Sequence, residues 1–286
     1  MKAKYRVIYK FSEVYPICRM CRFFKVSRSG YYDWLARLTG VDKDTPMLEM
    51  IAQCQKENDG TYGYRRCAIW LTKRCCRAVN HKAVARLMRK YGLNSVIRRS
   101  RKTSSFAKSN MLVPAYENFV NRNFTAERPN IKWVTDITCI RTKEGLLYLS
   151  AVMDLYDGFI VGYTLDTRQG VRMATESISC AHAVQMVKGS LMVHSDQGFQ
   201  YRSWGYARMA ENLDITPSMS RRGNCLDNSR MESFFGTLKV ESIYLHKPKT
   251  LNEAKELVVA YIDYYNHRRI SLKTKMTPYE KRCQVA

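Results

Sequence analysis

At Ile131 the hydrophobic pattern of this chain changes period, and that change restricts the fold more than any other feature. IKWVTDITCI, LLYLSAVMDLY and GFIVGYTLD are three runs rich in β-branched and aromatic residues, the composition of half-buried strands. RTKEG and the Asp157-Gly158 pair are short turns between them, which suits an antiparallel meander. Next, VRMATESISCAHAVQMV has helical spacing, LMVHS reads as a short buried strand, and SWGYARMAENL is helical again. TPSMS supplies a last strand before a helix that begins near Asp227. Three hairpin strands followed by alternating helices and strands predict an α/β fold, a mixed five-stranded sheet with flanking helices. A right-handed crossover from the third strand lays LMVHS parallel to the first strand and beside it.

Three carboxylates fall at apolar places in this pattern. Asp136 lies inside the first strand run, Asp196 where LMVHS passes into a Gly-containing turn, and Glu232 in the helical pattern DNSRMESFFGTLK. A charged carboxylate in apolar surroundings is costly unless a cation meets it. The crossover puts Asp136 and Asp196 on neighbouring strands, with Glu232 on a helix packed across that edge. Three converging acids are what a pair of divalent ions requires. Mg²⁺ fits best, being hard and taking oxygen ligands from carboxylates, phosphates and water.

The first third of the chain is strongly basic. Of a net charge of +23, an excess of 18 sits between Met1 and Lys108, from 25 Lys or Arg against 7 Asp or Glu. Lys and Arg that neutralise phosphates release counterions and give sequence-independent affinity, so nucleic acid is the expected partner, ahead of an anionic membrane or a merely solvated basic surface, and a basic helix face could lie along double-stranded DNA. Two helix-turn-helix-like stretches lie here. In one, YPICRMCRFF and YYDWLAR flank KVSRSG, with Val26 and the Ser27/Ser29 pair at the turn and N-cap. In the other, TYGYRRCAIWLTKRC precedes VNHKAVARLMRKYGL, where Asn80 caps a helix with Val84, Leu87 and Met88 on one face and Gly92 ends it. Arg65 and Arg66 are candidate DNA contacts on the second stretch. Arg98, Arg99, Arg101 and Lys102 are candidates in RRSRKTSSFAKSN, a basic, Ser-rich linker without apolar period.

No apolar run approaches the roughly 20 residues that span a bilayer, and MKAKYRVIYK lacks a signal-peptide core, so a cytoplasmic protein is expected. The ten cysteines fit that compartment as reduced thiols. Cys18 and Cys21 form a C-x-x-C pair without a second half; their spacing reads as two thiols buried on one helix face, and no structural zinc is expected.

WVTDIT, HSDQGFQY and NCLDNSRMESFFGTLK resemble the catalytic boxes of insertion-sequence transposases of the OrfB, retroviral-integrase-like type, the IS3 family. Thirty-five residues separate Asp196 from Glu232, as in that family's D,D-35-E pattern, and Lys239 stands seven residues beyond the glutamate. SRSGYYDWLAR, YGYRR and VARLMRKYGL resemble the family's amino-terminal region, and YNHRRI and MTPYEKR its tail, so the likeness runs almost end to end. Leu226 departs from a frequent tryptophan, and Ser229-Arg230 from a small residue and proline. The tail follows the variant without a histidine after the arginines, and nothing catalytic is assigned there.

The resemblance implies a ribonuclease-H-like core and DNA transposition. Two Mg²⁺ ions (Mn²⁺ as substitute) would serve it, Asp136 holding both and Asp196 and Glu232 one each. Water would free a 3′-OH at a transposon end, and that hydroxyl would attack another phosphodiester. It also implies a homo-oligomer on DNA and fusion to an upstream OrfA-type product. Two rivals are a non-catalytic DNA-binding regulator and a ribonuclease-H-like nuclease without strand transfer; metal-dependent joined products distinguish all three.

Around the acids, Asp227 reads as an N-cap, His194 as a packed or hydrogen-bonded wall residue, and Phe234 and Phe235 as core. Lys239, on the face of Glu232, and Arg221 and Arg222 in a basic turn with Gly223 are DNA-contact candidates. In LNEAKELVVAYIDYYNHRR, Leu257, Val258, Tyr261 and Ile262 form a packing face, while Tyr264, Tyr265 and Arg268 could touch DNA. The expected domains are a basic helical region at 1–110, a connector at 111–128, the catalytic core at 129–245 and a helical tail at 246–286.

Overall fold

The computed structural model describes residues 2–39, 44–97, 115–222 and 224–284; the candidate contacts Arg98, Arg99, Arg101 and Lys102 lie outside them. The chain divides into two units, Met1–Asn94 and Ser95–Ala286.

The first unit is helical: α1 (Lys2–Lys10), α2 (Ile17–Phe23), α3 (Arg28–Thr39), α4 (Thr45–Glu57), α5 (Tyr64–Cys75) and α6 (His81–Lys90). Tyr5, Ile8, Met20, Cys21 and Tyr31 form one core, with Trp34 and Leu35 against it. Ser27 Oγ accepts the Gly30 N–H (3.2 Å) at the start of α3. Cys21 is buried but Cys18 is exposed, which corrects the paired burial expected of them: short α2 buries only Met20 and Cys21. In α6 the stripe Val84, Leu87 and Met88 is buried, and Asn80 accepts the Lys82 N–H (2.9 Å). Gly92, at φ +70°, takes the left-handed conformation that ends α6.

The second unit is an α/β sandwich. Its sheet contains β1 (Lys132–Arg141), β2 (Leu146–Asp154), β3 (Ile160–Asp166), β4 (Leu191–Ser195) and β5 (Ile215–Met219), in the order β3-β2-β1-β4-β5. β1 and β2, and β2 and β3, pair antiparallel; β4 runs parallel to both β1 and β5. Pro217, which cannot donate to a ladder, falls on an edge strand. Two helices, α7 (Val171–Val184) and α8 (Trp204–Asn212), lie on one face. There Trp133, Val152, Ile178, Val193 and Tyr206 share a core. α7 stops short of the apolar run read from sequence, because Met186 turns to φ +45°.

The other face carries α9 (Ser229–Leu238), reached through a 3₁₀ turn at Cys225–Asn228. The chain then passes a π-turn at Lys239–Ile243 and the single helical turn α10 (Tyr244–His246) into α11 (Leu251–His267). Val134, Leu149 and Met153 of the sheet pack there against Phe234, Phe235, Val258, Tyr261 and Ile262. A buried ion pair pins the π-turn: Arg269 donates twice to Glu241 (2.7 Å each), which also accepts from the Tyr261 hydroxyl (2.9 Å). A last short helix, α12 (Pro278–Arg282), starts on a Thr277–Glu280 capping box. No helix among the described residues is long and apolar enough to cross a membrane.

Candidate active site

The site forms where β1, β4 and α9 meet. Side chains alternate along a strand, so Asp136 shares the α9-facing side of β1 with Val134 and Ile140. The parallel register pairs Val134 with His194; Asp136 within β1 and Asp196 just past the end of β4 therefore each stand two residues beyond that pair. Asn228 Nδ2 donates to Thr135 O (3.2 Å), tying the start of α9 to β1 one residue from Asp136. Glu232 follows in the first turn of α9, exposed, and Lys239 in the turn that ends it.

Electrostatics link these groups. Burial first, then the negative charge of Asp196, holds the Asp136 carboxyl well above the usual carboxylate range; Glu232 adds to the rise, while the Ile137 N–H and Lys239 oppose it. Burial raises Asp196 as well, against the Gly198 N–H, and it raises Glu232. The buried Tyr201 phenol, within 3.3 Å of the Thr135 hydroxyl, is pushed up by burial and then by Asp136 and Asp196. One oxygen of each aspartate is tied: Asp136 Oδ1 accepts the Ile137 N–H (2.7 Å) and Asp196 Oδ1 the Gly198 N–H (2.9 Å).

The acids share a field but not yet a coordination shell. Among the described residues, no three His, Cys, Asp or Glu side chains stand close enough to hold a metal ion. The strands and α9 bring the acids to one neighbourhood, where Glu232 is exposed yet close enough to act on the Asp136 carboxyl. The donor set still suits a hard divalent cation, being all carboxylate oxygen with crowded negative charge.

Asp227 differs from its reading as an N-cap. The residue at the N-cap of α9 is Asn228, and it makes no side-chain cap bond. Asp227 is fully buried in the 3₁₀ turn. It accepts from Arg221 (N 3.0 Å, Nε 2.9 Å, Nη2 3.0 Å), from Arg122 Nε (3.0 Å) and from Asn118 Nδ2 (2.9 Å). The Arg221 hydrogen bonds come first among the causes holding its carboxyl far below the usual range. Arg221 therefore braces the loop before α9, whereas Arg222 stays exposed. His194 is buried between the Ser218 (2.9 Å) and Ser220 (3.1 Å) hydroxyls, and burial pushes it down to about 4, so it is a neutral wall residue.

Sequence reasoning missed Arg122, Asn118, Asn228 and Tyr201. Nothing local marks Arg122 as a partner of Asp227, which is 105 positions away; Asn228, inside the same box as Glu232, and Tyr201, inside that of Asp196, carried a signal. Of the other DNA candidates, Arg65 stacks on Tyr64 (5.6 Å) and Arg66 on Tyr62 (5.9 Å) in the first unit. Tyr264 and Tyr265 pack against the core, and Arg268 lies over Tyr264 (5.5 Å).

A five-stranded sheet with its middle strand antiparallel to one neighbour and parallel to the other, and acids beside that strand, defines an integrase-type core. Integrase core domain models match residues 126–225 and 213–271, and an HTH-like domain model matches 42–101. The fold is similar to a chain of the simian T-cell lymphotropic virus intasome in complex with PP2A regulatory subunit B56 gamma. That match has a TM-score of 0.50 at 19% identity and covers 81% of this chain and 74% of that one.

Among relatives, InsK of insertion sequence element IS150 in Escherichia coli (strain K12) is 39% identical over 281 residues, 98% of each chain. Transposase InsF for insertion sequence IS3A of the same organism is 32% identical, covering 96% of each. The relative from insertion sequence element IS1353 of Shigella flexneri is 34% identical over 95% of this chain but only 52% of its own length. The chain belongs to the IS3 family of insertion-sequence transposases.

Proposed function

We propose that this transposase cleaves the DNA ends of its insertion sequence and joins the freed 3′-OH to another phosphodiester, using Asp136, Asp196 and Glu232. The observation that carries this reading is the juxtaposition of β1, the end of β4 and the first turn of α9, which brings Asp196, Glu232 and Lys239 close enough to act on the Asp136 carboxyl. Asp136 would hold two Mg²⁺ ions, with Asp196 and Glu232 holding one each; when bound, such ions activate the attacking oxygen and stabilise the leaving one. The chain's own residues do the rest. Gly198 and Ile137 N–H groups fix the two aspartates, so that one oxygen of each keeps a constant aim. Lys239 offers a cation to a phosphate of the bound end, and Arg222 a second in the loop before α9.

Arg65, Arg66, Arg98, Arg99, Arg101 and Lys102 add phosphate contacts along the basic first third. Assembly as an oligomer on DNA, and fusion to an upstream partner, belong to the same reading.

The test is a plasmid carrying the sequences that flank this reading frame, incubated with the protein and Mg²⁺. Cleaved ends and joined products are expected from the wild type, and Asp136→Asn should lose both by about 10³-fold or more while still binding the duplex. Undiminished activity of Asp136→Asn would overturn the assignment, and nicks without joined strands would replace it with a nuclease on the same fold.

A further inference from the structure

A cleft of about 160 Å³ opens in the second unit on residues from five separate segments. Phe124–Ala126 of the connector and the β2–β3 turn form its floor, and Arg230, Lys273 and Lys281 bring cations to it. Ser271 and Thr274 add hydroxyl-bearing side chains. The two carboxylates nearby are already engaged from behind: Arg282 donates to Asp157 (2.9 Å) and pairs with Asp154 (3.4 Å). Lys281 donates to Tyr156 O and lies over the Tyr156 ring (4.3 Å), which fixes its ammonium at the wall. Burial pushes that ammonium down, and the like charges of Lys273 and Arg230 push it further, against the pull of Asp157. Arg230 and Lys273 are exposed, and no ion pair engages either among the described residues.

Arg230 is oddly placed for a structural residue. It sits in the first turn of a helix of 10 residues, where the helix dipole favours anions and disfavours cations. Three cations crowded on a small cleft, one against a helix dipole, are explained by an anion they share.

We propose that this cleft is a second DNA-backbone site, in which Arg230, Lys273 and Lys281 hold one phosphodiester of the duplex. Glu232 is two residues from Arg230, about 200° around the helix, so the cleft and the acids lie on different sides of α9. The site rests on reading the protein as a DNA-joining enzyme but not on the acid assignment. A phosphodiester held there fixes the duplex at a point outside the reaction centre, as phosphate contacts do when they set register without reading sequence.

The experiment measures duplex affinity of the full chain against NaCl concentration, without divalent metal. Arg230→Gln/Lys273→Gln should lower the slope of log K against log[salt] by about 1, with affinity falling about tenfold at 0.1 M salt. Arg230→Lys/Lys273→Arg should keep the wild-type slope. Arg172→Gln/Lys188→Gln, with the same charge change elsewhere, should leave it unchanged. A slope equal to wild type in the first variant, or an equal drop in the remote control, overturns the proposal. So does inorganic phosphate that displaces duplex beyond its ionic-strength effect while the slope stays fixed, which marks a free-anion site. Asp136→Asn separates the two readings, since it removes cleavage and leaves this slope intact.

Discussion

At the scale of single residues, the candidate site depends on a few small or buried groups. A Cβ on Gly198 would come within 2.8 Å of Asp196 Oδ1 and 2.7 Å of Gln200 Oε1. Gly198→Ala should therefore displace the aspartate and lower joining by about 10²-fold with little change in melting temperature, measured as turnover beside a thermal melt. Asp227→Asn acts differently, because it removes a buried charge from two arginines and an amide. A loss of about 2 kcal/mol is expected, the arginines being half-exposed and partly resolvated. The pH dependence has a definite sign. The folded carboxyl binds its proton more weakly than the unfolded one, so its stabilisation is complete above about pH 4 and is lost as pH falls below it. Denaturant melts from pH 3 to 7 should show the Asp227→Asn deficit full near neutrality and starting to shrink at the acid end, with most of the loss lying below pH 3; an equal deficit throughout would exclude the ion pair as its cause.

At the scale of elements, β3 and α7 touch without side chains between them at Gly162. An added Cβ there would meet Ala181 Cβ at 2.6 Å and Ser177 O at 2.8 Å. Gly162→Ala should cost about 1–3 kcal/mol by overpacking, read as a lower melting temperature, whereas Gly236→Ala, where nothing lies within 4 Å, should be neutral or stabilising. The meander, the parallel return of β4 and the stripes of α6 and α11 were legible in the sequence because each is written in local period and turn chemistry. Asp136 and Asp196 could be placed on neighbouring strands for the same reason. The 3₁₀ turn before α9 and the π-turn after it were not legible. Distant pairs help to hold them, Asp227–Arg122 and Glu241–Arg269, 105 and 28 positions apart, and although Arg221 lies only six positions from Asp227, no period or turn signal marks that pair. The exposure of Glu232 is equally invisible, since spacing gives the face of a helix and not what covers it.

At the scale of the whole molecule, charge dominates. With a net charge of +23, duplex affinity should fall by about 10³-fold or more between 50 and 200 mM salt; a shallow dependence in a filter-binding titration would mean that most of the basic first third stays off the backbone. The order of parts along the chain has a further effect. Two acids lie with the strands, but Glu232 comes only after all five, and the apolar side of β1 and β2 stays bare until α9 and α11 follow. A chain that ended between β5 and α9 would carry two of the three proposed acids on a sheet with one apolar face uncovered. If the proposed acids are the reacting ones, such a fragment is expected to lack cleavage and to expose apolar surface that invites proteolysis, so the order of synthesis itself would keep truncated products harmless.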